Sequence, residues 1–503
     1  MRYSSRALAL IIFLVPFIAK AQGVDDALLY SQTLYEGTGR SIAMGNAVGA
    51  MGGDFTSACI NPAGLGLYRS SELSLTSGLQ HTFITSSYYG TQQHDGRMRL
   101  SIPNFDYVVS MECSNYKPLR FLQMGIGLTR TNDFSYRSDA QGLNPYSSMI
   151  DDYLQCTEGL PELFNLSQDP GNLLSNAYPY DLYPAWQTYL IDRFQDSLGA
   201  YFSSPIPQGN VNQRDQIVSR GRSEEWTFAA SANIKEKLFV GASLGLSHIK
   251  RISKRTYRET PGDPLDPDNT FTQWEHQEEL GDTAWGLNLK CGVISYPTRW
   301  LRIGVAWHSR NLYSIGETWA TETSSQLIEN HQEVSYKSYS PYLYHSYDFF
   351  SPHTFIGSLA FLFGRRGMIT TDVEYMDYST ARLYSSSFSF DDANANIKDI
   401  LGPTLNFRVG TEWCIYRLFL RGGAAYYGSP YGFGENYGSV KKASLGVGYV
   451  TESDVYWDFA YELTESTTGY APYTYYVDGS NAVADVVQHK FRNKFLITFR
   501  MKM

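Results

Sequence analysis

Apolar and polar residues trade places one by one along most of this chain. From Glu72 to the carboxyl end the alternation comes in runs of about ten residues with turn-forming clusters between them, which is the pattern of strands with two unlike faces. In 237–249, Leu238, Val240, Ala242, Leu244 and Leu246 alternate with Gly241, Ser243, Gly245 and Ser247. In 454–464 the split is sharper: Val455, Trp457, Phe459, Tyr461 and Leu463 oppose Tyr456, Asp458, Ala460, Glu462 and Thr464. Leu405, Phe407, Val409 and Trp413 likewise oppose Asn406, Arg408 and Glu412, and Ile369, Val373 and Tyr375 oppose Thr370, Asp372 and Glu374. A face carrying Asp458 and Glu462 does not fit a dry protein core. A polar lumen accepts that face, and lipid accepts the other.

Strands are expected near 71–88, 97–112, 119–136, 224–234, 237–257, 271–295, 299–321, 334–363, 367–382, 402–415, 417–428, 439–451, 454–466 and 488–502. That makes about fourteen, an even number, so the expected fold class is all-β, a closed transmembrane antiparallel barrel. Lys235-Glu236, 296–298, 364–366, Tyr416 and Glu452-Ser453 read as tight turns, and the links between them as long and polar. Short turns belong on the periplasmic side and long loops outside, which puts both ends of the barrel chain in the periplasm. The largest insertion, 137–222, falls in the second external loop. Helices are expected there at 147–154 and 184–200, the latter with Trp186, Leu190, Phe194 and Leu198 on one face that packs on the barrel rim.

Composition fits this picture. Residues 1–21 have basic Arg2 and Arg6, an apolar stretch from Ala7 to Ile18 and a closing Ala19-Lys20-Ala21, which reads as a signal peptide cleaved before Gln22. No later window approaches the ~18 apolar residues of a spanning helix. Charged residues are only 18% and aromatics 15%, with 39 tyrosines, the balance of a barrel whose strands present half their residues to lipid between aromatic girdles. Cys59, Cys113, Cys156, Cys291 and Cys414 form no disulfide framework or metal pair. A net charge of -9 argues against nucleic acid as a partner.

Between signal and barrel lies 36–68, a glycine-laced segment without hydrophobic period. Gly37, Gly39 and Gly45 free its backbone for tight turns, and Asn61-Pro62-Ala63-Gly64 closes it. A nucleotide loop is not supported, because Gly37-Thr38-Gly39 lacks the third glycine and no strand precedes it. With its Asn-Pro-Ala motif ahead of the first strand, the segment resembles the N-terminal hatch of the FadL/TodX family of outer-membrane transport proteins. The resemblance implies three parts: the signal (1–21), a hatch plugging the lumen (22–67) and the barrel (68–503). It also implies residence in the outer membrane of a Gram-negative bacterium, with lipid and the barrel-assembly machinery as partners. The implied function is passive uptake of hydrophobic small molecules such as long-chain fatty acids, with hatch movement and lateral release. Relatives of this family also suggest two alternatives, an interaction protein of secretion or surface attachment and a hemin-binding receptor.

A ligand carboxylate calls for a cation in the lumen. Alternation turns Arg302, Arg408 and Arg421 inward, and His308 with them. Inward Asp372, Glu374, Glu412, Asp458 and Glu462 offer these cations a salt-bridge lattice instead. On the last strand Lys490, Arg492, Lys494 and Arg500 face inward while Phe491, Phe495, Ile497 and Phe499 face lipid. The loop 262–269 crowds three carboxylates but lacks the spacing and closing Glu of a calcium loop, so no metal or cofactor is expected. The serines offer no triad with a paired base, so the chain is not expected to be an enzyme.

Overall fold

The computed structural model describes residues 23–113, 118–158, 160, 170–196, 199–432 and 437–503. The signal segment 1–21, Gln22 and Leu198 lie outside the described residues. Fourteen staves form one closed antiparallel barrel. They are β1 Glu72–Tyr88, β2 Thr91–Glu112, β3 119–144, β4 Val211–Ile234, β5 Leu238–Pro261, β6 Phe271–Thr298 and β7 301–329. The remainder are β8 332–363, β9 367–384, β10 Pro403–Ile415, β11 Leu418–Tyr427, β12 Val440–Val450, β13 Val455–Tyr470 and β14 Val486–Lys502. Each pairs with its neighbours in sequence, and β14 closes on β1 from Glu72↔Lys502 to Ser87↔Val487.

The two faces divide as the alternation requires. Leu405, Phe407, Val409 and Trp413 are exposed on the outside of β10, while Asn406, Arg408 and Glu412 are buried inside it. Exposed aromatics mark both edges of the outward band, Trp300, Phe363, Trp413 and Trp457 near the short turns and Trp226, Trp285, Tyr375 and Tyr426 toward the other end.

Several expectations need correction. Two external connections are not long: Tyr89-Gly90 joins β1 to β2, and Asn330-His331 joins β7 to β8. There the staves themselves run past the lipid band, where polar residues occupy both faces and no alternation marks them. For the same reason β3 continues to Asn144 and β4 begins at Val211, narrowing the irregular insertion to 145–210. The turn expected at 296–298 falls at 299–300. The helix expected over 184–200 is confined to Leu182–Gln187, and Asp192–Asp196 turns into a hairpin with Gly199–Ser203. Trp186 and Leu190 still face inward, but Phe194 is exposed.

The helices divide between lumen and exterior. In the lumen lie α1 Val24–Ser31, α2 Gly39–Ala43 and α3 Phe55–Ile60; outside lie α4 Met149–Cys156, α5 Pro170–Ala177 and α6 Leu182–Gln187, while α7 Asp391–Ile400, in the connection between β9 and β10, packs on α1. The external insertion has its own core, where Met149, Ile150, Tyr153 and Leu182 pack on Tyr257, Phe271 and Trp274 of the raised strands. Buried Glu259 fastens it. Its carboxylate accepts from Met149 N (2.9 Å), Tyr257 Oη (2.7 Å), Gln213 Nε2 (2.9 Å) and Trp274 Nε1 (2.9 Å), as well as from Ser148 Oγ.

Candidate functional site

The plug is built from short capped turns. Thr38 caps α2, its hydroxyl accepting from Ser41 N at 3.1 Å and donating to Asp54 at 2.6 Å. Asp54 in turn caps α3 through Thr56 N at 3.0 Å. Asn61 caps the 3-10 turn Pro62–Leu67 through Ala63 N at 3.2 Å, and Pro62 sits at its first position, where no N–H is needed. Gly45 holds φ +62, a left-handed turn that lays the chain against the backbone of Ala424.

Residues 36–66 are almost all buried, and they fill the half of the lumen at the short-turn end of the barrel. The wall makes room for them with glycines. A Cβ on Gly292 would strike Asn61, one on Gly410 would strike Met44 O, and one on Gly423 would strike Gly45 N. Polar contacts then fix the plug in place. Gly39 N donates to Thr498 Oγ1 at 2.7 Å, Gly49 N to Asp372 at 3.0 Å, and Ser231 Oγ to Ala63 O at 3.4 Å. Gly37 is crowded by Thr56, and Gly64 O accepts from Gly53 N at 3.2 Å.

The four lumen candidates do not converge on one site. Arg302 Nη1 donates to Met51 O, and its guanidinium lies 4.6 Å over the Tyr296 ring. His308 Nε2 donates to Ile60 O at 2.8 Å. Both therefore hold the plug. Arg408 pairs with Glu374 at 3.0 Å and Asp372 at 3.7 Å. Arg421 bridges Glu412 and Asp458, each at 2.6 Å, in a longer chain of ion pairs. That chain runs from Arg40 on the plug to Glu412 (2.9 Å), through Arg421 and Asp458 to Arg500 (2.8 Å), and on to Glu72 (3.7 Å). A second bolt joins Glu36 of the plug to Lys494 at 2.6 Å. Buried pairs of this kind add little net stability but penalise any arrangement that separates them, so they fix the plug's position. The sequence turned these side chains inward without revealing that Arg302 and His308 bond to the plug.

Three adjacent staves are interrupted at one height. β7 breaks at 309–311, β8 at 351–353 and β9 at 378–381. The breaks stand opposite one another, because His308 pairs with Thr354 and Leu312 with Phe350, while Thr354 pairs with Met376 and Phe350 with Arg382. Across the gap, Asn311 N donates to Ser351 Oγ at 2.8 Å and Ser351 N to Asn311 O at 3.1 Å, while Pro352 has no N–H to offer. Behind the gap is a lumen cavity of about 40 Å³ touched by Tyr35, Asn311, Ser351 and Met376. Beside it on the lipid face is an apolar depression formed by Val293, Val305, Phe355 and Val373, left open by Gly357. A larger chamber, of about 280 Å³, lies between α1 and staves β3, β12, β13 and β14.

Gly241-Ala242-Ser243-Leu244-Gly245 spells a nucleophile elbow, but it lies mid-strand in β5 with Ser243 turned toward the plug. An elbow requires a strand-to-helix turn. Among the described residues no group of three or more His, Cys, Asp or Glu is placed to hold a metal. The five cysteines are free thiols, with Cys59 of the plug buried against Thr129 and Thr227 of the wall.

No protein-family model and no curated protein matches the sequence. Among solved structures the chain is similar to a FadL homologue of Pseudomonas aeruginosa, at 13% identity and a TM-score of 0.55, over 94% of this chain and 99% of that one. It is also similar to the toluene transporter TodX of P. putida, at 12% identity and a TM-score of 0.52, over 92% and 97% of the two chains. At such identity the likeness is one of fold.

Proposed function

We propose that this chain, which has the fold of the FadL and TodX structures, is a passive outer-membrane channel of a Gram-negative bacterium for hydrophobic small molecules, long-chain fatty acids among the class. The observation that carries the reading is the pairing of a bolted plug with a broken wall. Downward passage is closed, since the plug meets wall backbone at Gly410 and Gly423 and is held by Arg40, Glu36, Arg302 and His308. Sideways, the breaks in β7, β8 and β9 put a lumen cavity next to a lipid-facing apolar depression. A hydrophobic solute gains free energy by leaving water for such a site and then for lipid, without crossing water again. A hydrophilic solute gains nothing by that exit.

In this reading residues 22–67 are a hatch whose shift, starting near Tyr35 and Met51, opens the route. Binding and release need no chemical step, so the chain works as a transporter without enzymatic activity. Its assembly relies on the barrel-assembly machinery, and lipid surrounds its outward band. The test is mass spectrometry of an organic extract from the chain purified gently out of its native membrane, beside an unrelated barrel prepared identically. Enrichment of an acyl or aromatic compound is the expected result. A copurifying protein with no enriched small molecule would overturn the reading in favour of a docking or secretion role.

A further inference from the structure

Beyond the aromatic edge of the outward band, one sector of the outer wall is basic. On adjacent staves β4 and β5, Arg220, Arg222 and Lys250 are exposed, and register sets Arg222 directly opposite Lys250. Like charges facing each other across an antiparallel pair repel. The nearby acids answer them only in part. Glu224 lies 2.9 Å from Arg222 but is shared with Arg130 at 3.2 Å, and Asp133, next to Arg222 in the ladder with β3, is buried and held by Arg99 and Arg130. Asp139 pairs with Arg214 and Glu275 with Arg258, while Glu279 stands opposite Lys254. Among the described residues neither Arg220 nor Lys250 lies within ion-pair distance of a carboxylate. Register also fixes the height. Trp285 of β6 pairs with His248, and the row of Arg222 and Lys250 is two residues farther along, about 7 Å of strand. On the other side of that edge the same sector exposes Trp226, Phe228, Leu244, Leu246 and Leu287. The far wall differs, since Lys441 of β12 stands opposite Glu465 of β13.

A row of cations one step past an aromatic edge, bordering a wall of exposed apolar side chains, complements a lipid with an anionic headgroup. We infer that this sector of β4, β5 and β6 holds a phosphorylated lipid of the outer leaflet. Its phosphate lies among Arg220, Arg222 and Lys250, and its acyl chains run along Trp226, Phe228, Leu244 and Leu246. The arginine forks suit phosphate oxygens, and Lys250 adds a rotatable donor. Their apolar stems rest on the wall while the charged heads reach the headgroup. The phosphate also relieves the repulsion between Arg222 and Lys250. The inference rests on the outer-membrane placement proposed above and does not depend on which solute the channel carries.

The experiment is native mass spectrometry of the full chain in detergent micelles, titrated with lipid A, a phosphorylated and acylated disaccharide of the Gram-negative outer leaflet. A second titration uses the same lipid stripped of its phosphates. The phosphorylated form is expected to bind about tenfold more tightly. Arg220→Gln combined with Arg222→Gln and Lys250→Gln is expected to erase that difference by weakening the phosphorylated form alone, whereas Lys441→Gln on the far wall leaves it unchanged. Correct folding of each variant is read from its heat-resistant mobility on a gel. Equal binding of the two lipids, or of neither, would overturn the site. So would a preference that survives the triple substitution or is lost with Lys441→Gln. Inorganic phosphate at matched concentration is expected not to displace the lipid, and displacement would overturn the lipid site in favour of one for the free anion. Solute uptake is judged separately by the extraction experiment, so either reading can fail without the other.

Discussion

Asn61 uses each of its polar side-chain atoms on a different part of the molecule. Its Oδ1 caps the turn through Ala63 N, while its Nδ2 donates to Gly49 O at 2.8 Å inside the plug and to Val293 O at 3.4 Å in the wall. Asn61→Ala leaves those carbonyls and the Ala63 N–H buried without that partner. The expected cost is about 1–3 kcal/mol, read as a lower denaturation midpoint for loss of plug protection against protease, with the barrel itself intact. The Asn61-Pro62-Ala63-Gly64 run stood out in the sequence. Its neighbours in the wall, Gly241 and Gly292, did not, because nothing local to a strand says which backbone will come to rest against it. The same holds for the cations. Alternation alone turned Arg302, Arg408 and Arg421 inward, but whether each meets a carboxylate or a plug carbonyl depends on strand register and on where residues 36–66 settle.

Elements were legible where lipid enforces two unlike faces, and illegible above that band. The strands expected from the pattern fall on the fourteen staves, but the raised ends 91–96 and 211–223 carry polar residues on both sides and gave no period. The helical spacing at 184–200 misled because Leu190 is buried in the cap core rather than continuing α6, and the chain then reverses into a hairpin. The cap also holds a titratable fastener. Asp151 accepts from Ser148 N at 2.7 Å in a capping box at the start of α4. Burial raises its carboxyl to about 6, against the Ser148 bond, and the nearby Glu259 pushes the same way. A raised acid favours the protonated form in the folded cap, so that contribution is full below the ordinary value near 3.8 and fades as pH rises through about 6. Amide exchange in α4, corrected for its intrinsic pH dependence, is expected to slow as pH falls from 7 to 4. Asp151→Asn is expected to flatten that response, and an unchanged slope would count against the assignment.

On the scale of the whole molecule, the lumen is divided by height. Ion pairs and close backbone contacts seal the short-turn half around the plug, two cavities lie above it, and the wall beside the smaller one is interrupted in three staves. The sequence hinted at this only through Pro352, which interrupts a long strand. That the breaks in β7, β8 and β9 share one height is a property of register between segments far apart in the chain. In the proposed function solute leaves at that line, so holding it shut should stop transport without touching the plug. The direct measurement is uptake of radiolabelled decanol by cells with intact outer membranes carrying Asn311→Cys with Ser351→Cys, in a chain whose exposed Cys113 and Cys291 are replaced by serine. The two positions face each other as a bonded pair across the gap, a separation that a disulfide spans. Oxidation is expected to reduce uptake about tenfold or more, and reductant to restore it. Equal uptake in the oxidised and reduced states would contradict lateral release through this wall.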